Sequence, residues 1–203
     1  MTNEFKIRRM STTEAGFDSE LADLLNRRMI EEQSLSETVA SILADVRQNG
    51  DSAVVAYTQK FDRRNDVSSM AQLTVTQAQL QAALAALPED LSHALHLAAE
   101  RIRRYHEHQK QPSWQYEEED GSVYGQHVVA LERVGIYVPG GKANYPSSVL
   151  MNAIPAKVAG VEQVIMVVPT PYQGDDGGEG QLIFAAAAVA GVDQVYTLGG
   201  AQA

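Results

Sequence analysis

Hydrophobic positions recur at helical spacing through the first half of the chain and at strand spacing through much of the second. Over residues 12–28, Phe17, Leu21, Leu24 and Leu25 fall on one helical face. An acidic stretch through Glu31 and Glu32 leads to Ser34, with Glu37 three positions on. That pair has the form of a capping box and predicts a second helix starting there. Val39, Ile42, Leu43 and Val46 make its stripe, and Asn49-Gly50 supplies a stop. Asp51 predicts the cap of a next helix, which carries Val54, Val55 and Tyr57 and ends near Phe61. Thr76 opens a stretch rich in Ala, Leu and Gln that closes at Pro88. A further helix is predicted over 89–109, with Leu91, Leu95, Ala98, Ala99 and Ile102 facing inward. The first half therefore reads as a helical bundle with no strand-rich section.

The period changes after residue 112. Trp114, Tyr116, Val123, Tyr124, Val128 and Val129 flank an acidic turn, which predicts a β-hairpin with Asp120-Gly121 near its tip. A strand over 134–138 follows, then a Pro/Gly-rich loop and a helix over 147–159 that Ser147 and Ser148 can cap and Gly160 can end. A strand over 163–168, an acidic glycine-rich loop to 180, a helix over 181–190 and a strand over 194–198 complete the pattern. Strands alternating with helices of this length predict a parallel sheet. The expected class is α/β: an N-terminal helical region, then an incomplete Rossmann-like parallel β/α domain, with the hairpin between them. The expected divisions are a helical arm over 1–33, the helical part of a first domain over 34–112, and the Rossmann-like domain over 113–203. A Gly-Gly turn followed by Ala and Gln after a strand normally opens a helix, so the chain is expected to belong to a longer protein.

Composition narrows the partners. Acidic residues outnumber basic ones 26 to 16, and the net charge of −10 argues against a nucleic-acid or anionic-membrane surface. The absence of cysteine excludes disulfides, thiolate metal sites and cysteine nucleophiles, and fits a reducing compartment. Residues 1–10 lack the apolar core of a secretory signal, and no stretch approaches the roughly 20 apolar residues of a membrane helix. A cytoplasmic protein without membrane or nucleic-acid partners is expected.

The segment Arg133-Val134-Gly135-Ile136-Tyr137-Val138-Pro139-Gly140-Gly141-Lys142 carries the clearest chemical signal. It is a strand running into a glycine pair at the carboxyl end of a parallel sheet, where α/β folds bind ligands. Gly140 and Gly141 would let the backbone approach a ligand closely. A simple βα turn fits the same residues equally well, and no G-x-G-x-x-G fingerprint is present. His93 and His96 share a helical face, and His106 and His108 lie beside Arg101, Arg103 and Arg104, yet no acidic partner completes a site. These histidines, with His127 on the hairpin, read as surface or helix-end residues. The acidic run at 117–120 reads as a solvated hairpin tip. From these residues no catalytic and no metal-binding side chain is assigned.

The same run continues through Lys142-Ala143-Asn144-Tyr145-Pro146-Ser147-Ser148-Val149-Leu150-Met151-Asn152-Ala153-Ile154-Pro155-Ala156-Lys157-Val158-Ala159-Gly160-Val161 and resembles the histidinol dehydrogenase family very closely. Gly199-Gly200-Ala201-Gln202-Ala203 matches a second motif of that family. Val168-Pro169-Thr170-Pro171, Ala190-Gly191-Val192, Gly50-Asp51, Tyr57 and Lys60-Phe61-Asp62 also fit, while the loop 173–180 is longer and more acidic than usual. The resemblance implies the last enzyme of histidine biosynthesis, which oxidises L-histidinol through an aldehyde to L-histidine by two hydride transfers to NAD. It implies an intertwined homodimer, a zinc ion that holds the substrate, and a Glu-His pair for acid–base work. By motif match, Tyr137 and Gln202 are expected to contact NAD, with Gly140 and Gly141 lining the same cleft. Members of the family are more than twice as long, with zinc ligands and the Glu-His pair downstream of the second motif. This chain by itself is therefore expected to be inactive. Two readings of another class stand beside this one: a non-catalytic nucleotide-binding module, and a dimerisation piece whose 12–28 arm packs on another chain. An exposed apolar face on that arm would favour the last.

Overall fold

The computed structural model describes residues 9–139, 145–169 and 179–203 in backbone and, outside 26–34 and 179, in side chain. The chain divides into two compact units, 1–48 and 49–203. The first is dominated by α1 (Phe17–Asn49), one unbroken helix where two were predicted. Ser34 and Glu37 lie inside it rather than at a start. The reason is local: no glycine or proline falls between Phe17 and Asn49, and Leu, Met, Gln and Glu all favour a helix, so the polar pair has nothing to interrupt. Gly50, at φ 55, ends the run where expected.

In the second unit, α2 (Asp51–Phe61) leads through a 3₁₀ turn, Met70–Gln72, into β1 (Thr74–Val75). Then come α3 (Gln77–Ala85), α4 (Glu89–Glu107) and a hairpin of β2 (Trp114–Glu117) and β3 (Val123–Gln126). The rest is β4 (Arg133–Tyr137), α5 (Pro146–Ala159), β5 (Gln163–Val167), α6 (Glu179–Ala190), β6 (Gln194–Tyr196) and a 3₁₀ turn, Gly200–Gln202. The main sheet has the order β1-β6-β5-β4, with β4, β5 and β6 parallel and β1 antiparallel at the edge. The α/β class and mainly parallel sheet are as expected.

The edge strand β1 was not predicted. Two residues show no alternation, and Thr74 and Val75 become a strand only by pairing with Tyr196 and Val195. Nor do the helices of residues 51–107 form a bundle of their own. Leu80 of α3 and Leu95 and Ala99 of α4 belong to the same buried cluster as α5, α6 and the sheet. Thr76, where the Ala-, Leu- and Gln-rich stretch opens, caps α3, its hydroxyl accepting from the Gln79 N–H while Gln79 reaches back. Leu95, Ala98, Ala99 and Ile102 face that core, but Leu91 is exposed, since it sits in the first turn of α4 beyond the packed stretch. Ala185, Ala186 and Ala187 are fully buried, and such small side chains let α6 lie close to its neighbours.

Alternation along the strands fixes the face that is buried. Val134, Ile136, Val164, Met166 and Val195 point into the helix-covered core, while Arg133, Gly135 and Tyr137 point the other way and are exposed. The carboxylate of Asp193 anchors the opposite, amino end of the sheet. It takes 2.6 Å contacts from the Lys157 ammonium and the Val164 N–H, joining α5, β5 and the approach to β6.

Candidate functional site

The carboxyl ends of β4, β5 and β6 form the site. The Val138 N–H donates to the Val167 carbonyl and the Val168 N–H to the Tyr196 carbonyl, each at 3.0 Å, so the three chains leave the sheet in step. On the far side Thr197 donates through both N–H and hydroxyl to the Leu73 carbonyl, at 2.7 and 3.1 Å. The segment leaving β6 is thus held from both flanks before it turns.

That turn comes back over β4. The Gly200 N–H donates to the Tyr137 phenol oxygen at 3.2 Å, linking residues 63 positions apart in the chain. Gly200 has φ +71, a conformation that side chains rarely adopt, and the Gln202 carboxamide folds back over it. A Cβ on Gly200 would stand 2.6 Å from Gln202 Oε1. Two of the residues expected at the ligand, Tyr137 and Gln202, are therefore gathered around one turn. The other two, Gly140 and Gly141, lie outside the described residues.

Gln202 is 3% exposed, and neither its Oε1 nor its Nε2 has a hydrogen-bond partner. Polar atoms so buried are nearly always paired, and their lack of a partner marks a place built to receive one. Tyr137 is half-exposed on the open face of the sheet. The helix α5 starts at Pro146, with Tyr145 as its cap residue and no side-chain cap. Ser147 and Ser148 sit inside the first turn rather than ahead of it, because proline's fixed φ suits the first helical position.

Among the described residues, no group of three or more His, Asp or Glu side chains could hold a metal ion. His93, His96, His108 and His127 are exposed, and His106 lines a separate cleft of about 680 Å³ with Lys110, Pro112, Val129 and Pro155, away from Tyr137 and Gln202. No helix among the described residues is long and apolar enough to cross a membrane.

A mainly parallel α/β sheet, with Tyr137 and the Gly200–Gln202 turn meeting beyond the strands' carboxyl ends, has the arrangement of ligand-binding α/β folds. Residues 25–203 match the family described as histidinol dehydrogenase, and the chain belongs to that family. It is 54% identical over 198 residues to the histidinol dehydrogenase of Dechloromonas aromatica, covering 97% of this chain and 44% of that one. It is 51% identical over 203 residues to that of Pseudomonas aeruginosa, covering 100% of this chain and 45% of the relative. The crystal structure of histidinol dehydrogenase from Elizabethkingia anophelis superposes with a TM-score of 0.72 at 30% identity, over 83% of this chain and 37% of that chain. The chain thus spans under half the length of the relatives it matches.

Proposed function

We propose that the chain is the amino-terminal part of a histidinol dehydrogenase that oxidises L-histidinol, through an aldehyde, to L-histidine at the end of histidine biosynthesis. The observation that carries this reading is the convergence of Tyr137 and the Gly200–Gln202 turn beyond the parallel strands. NAD, when bound, supplies the hydride acceptor. Tyr137 offers a ring face, and Gln202 offers a carboxamide that both donates and accepts, which suits the amide and hydroxyl groups of a nicotinamide nucleotide. By motif match, Gly140 and Gly141 are the two further candidates for nucleotide contact.

No residue of this chain is assigned to zinc or to the Glu-His pair; these belong to the remaining length of the relatives. The chain alone binds nucleotide without turning histidinol over. The protein is cytoplasmic, and its net charge of −10 is unsuited to nucleic acid or anionic membranes. Titration with NAD tests the reading: saturable binding is expected, weakened about tenfold in Tyr137→Ala and in Gln202→Ala, each losing a contact worth about 1 kcal/mol or more. No binding, or binding indifferent to both substitutions, overturns it.

A second feature bears on assembly. Leu24 and Leu25 of α1 are exposed, and apolar residues so placed support the reading of residues 12–28 as an arm that packs on another chain, a second copy of this one. Sedimentation of the wild type against Leu25→Asp tests it, with a dimer lost in the variant as the expected result.

A further inference from the structure

Among the described residues, Thr58 carries the other buried side-chain polar group without a partner. It lies on α2, completely buried, on the face that also holds Val54 one helical turn earlier. A threonine inside a helix ordinarily satisfies its hydroxyl by bonding back to the carbonyl one turn earlier. The Thr58 Oγ1 makes no such bond, and none to any other residue. The element packed against α2 is the closing 3₁₀ turn, Gly200–Gln202. The three orphaned side-chain atoms, Thr58 Oγ1, Gln202 Oε1 and Gln202 Nε2, therefore belong to two elements in mutual contact.

An apolar residue would fill the buried position on α2 without the cost of an unsatisfied hydroxyl. A hydroxyl there, facing an element whose own buried amide lacks a partner, makes sense as a group meant for that amide. The terminal torsion of glutamine is soft and a hydroxyl rotates freely, so side-chain rotation is the movement that brings them together. The pairing leaves the second end of the carboxamide for a ligand.

We infer that Thr58 is a positioning residue, whose hydroxyl holds the Gln202 carboxamide in the orientation that serves the nucleotide. This rests on Gln202 being a nucleotide contact. Thr58 itself touches no ligand and acts only through the glutamine.

The test uses the 203-residue chain and reads the Gln202 side-chain amide pair in a proton–nitrogen correlation spectrum, assigned by its loss in Gln202→Ala. Thr58→Val keeps the volume and removes the hydroxyl; it is expected to shift the amide pair and to weaken NAD binding about tenfold. Thr58→Ser restores both, which a packing role for the methyl group would not produce. Amide signals that stay in place in Thr58→Val, while Gln202→Ala still weakens binding, overturn the inference and leave the nucleotide reading intact. Wild-type NAD binding in Gln202→Ala removes the nucleotide reading instead. Thermal unfolding of Thr58→Ala, Gln202→Ala and the double variant gives an independent reading if Thr58→Val does not fold. Coupling requires the double variant to lose less than the sum of the single losses, and strict additivity overturns the inference.

Discussion

Gly199 lies against the ring of Pro169 so closely that a Cβ on the glycine would stand 2.4 Å from the proline Cγ and 3.2 Å from the Tyr137 phenol oxygen. The proline ring is not a flexible chain end that could swing aside. The backbone leaving β6 can pass between Pro169 and Tyr137 only with hydrogen in place of a side chain. Gly199→Ala is expected to destabilise the fold by about 1–3 kcal/mol, the usual cost of overpacking, and to break the Tyr137–Gly200 contact. Urea denaturation checks the first, and NAD titration, falling with it, checks the second.

Tyr137→Phe isolates the phenol. It keeps the ring and removes the oxygen that accepts from Gly200 at 3.2 Å. The bond is partly open to water, so a loss of about 1 kcal/mol or less is expected in denaturant unfolding. Nucleotide affinity should fall by more than that stability change suggests, because the turn also carries Gln202.

At Asp193, burial pushes the carboxyl upward, but the Lys157 ammonium and the bonds from Lys157 and the Val164 N–H outweigh it and hold the group below the usual carboxylate range. A carboxyl depressed in the folded state contributes stability that is present above its unfolded value, 3.8, and is lost as pH falls through the lower folded value. Acid unfolding of the wild type should steepen below that point, and Asp193→Asn should flatten this limb of the profile. Asp193→Ala also strips the acceptor from the buried Val164 N–H, a loss of about 1–3 kcal/mol at neutral pH, measured by thermal melts.

The hairpin offers a test independent of the site. Gly125 faces Gln115, and a Cβ there would stand 2.5 Å from the Trp114 carbonyl oxygen. Gly125→Val is expected to open the β2–β3 pairing and undo the stacking of Trp114, Tyr116 and Tyr124. Because the chain has a single tryptophan, its fluorescence reports the change directly. Far-ultraviolet helicity should stay as it is, since every residue of the hairpin strands is exposed and none belongs to the main core.

Periodicity carried the second half of the chain well. The strands at 133–137, 163–167 and 194–196 and the helices between them fall close to the alternating pattern, Gly121 lies in the hairpin turn, and Gly160 ends α5, as expected. It failed where tertiary contact decides. Thr74 and Val75 have no strand signal without Tyr196 and Val195 beside them, and the Ser34–Glu37 pair looks like a helix start although the residues around it sustain one long helix. The site divides the same way. Tyr137 and Gln202 stood out by family resemblance and not by spacing. Pro169 and Thr58 gave no signal of their roles, because both depend on which distant segment folds against them.

The edge strand has a kinetic consequence. Leu73, just ahead of β1, must find Thr197, 124 positions later, before its carbonyl is satisfied. The residues of α3 and α4 are synthesised long before that partner, so the border at Leu73 stays unclosed until it emerges. Closing so long a loop is a slow, entropically demanding step compared with the local β4-α5-β5-α6 windings. Thr197, which leads into the turn beside Tyr137, is therefore the residue that stitches the border at Leu73 to the later sheet.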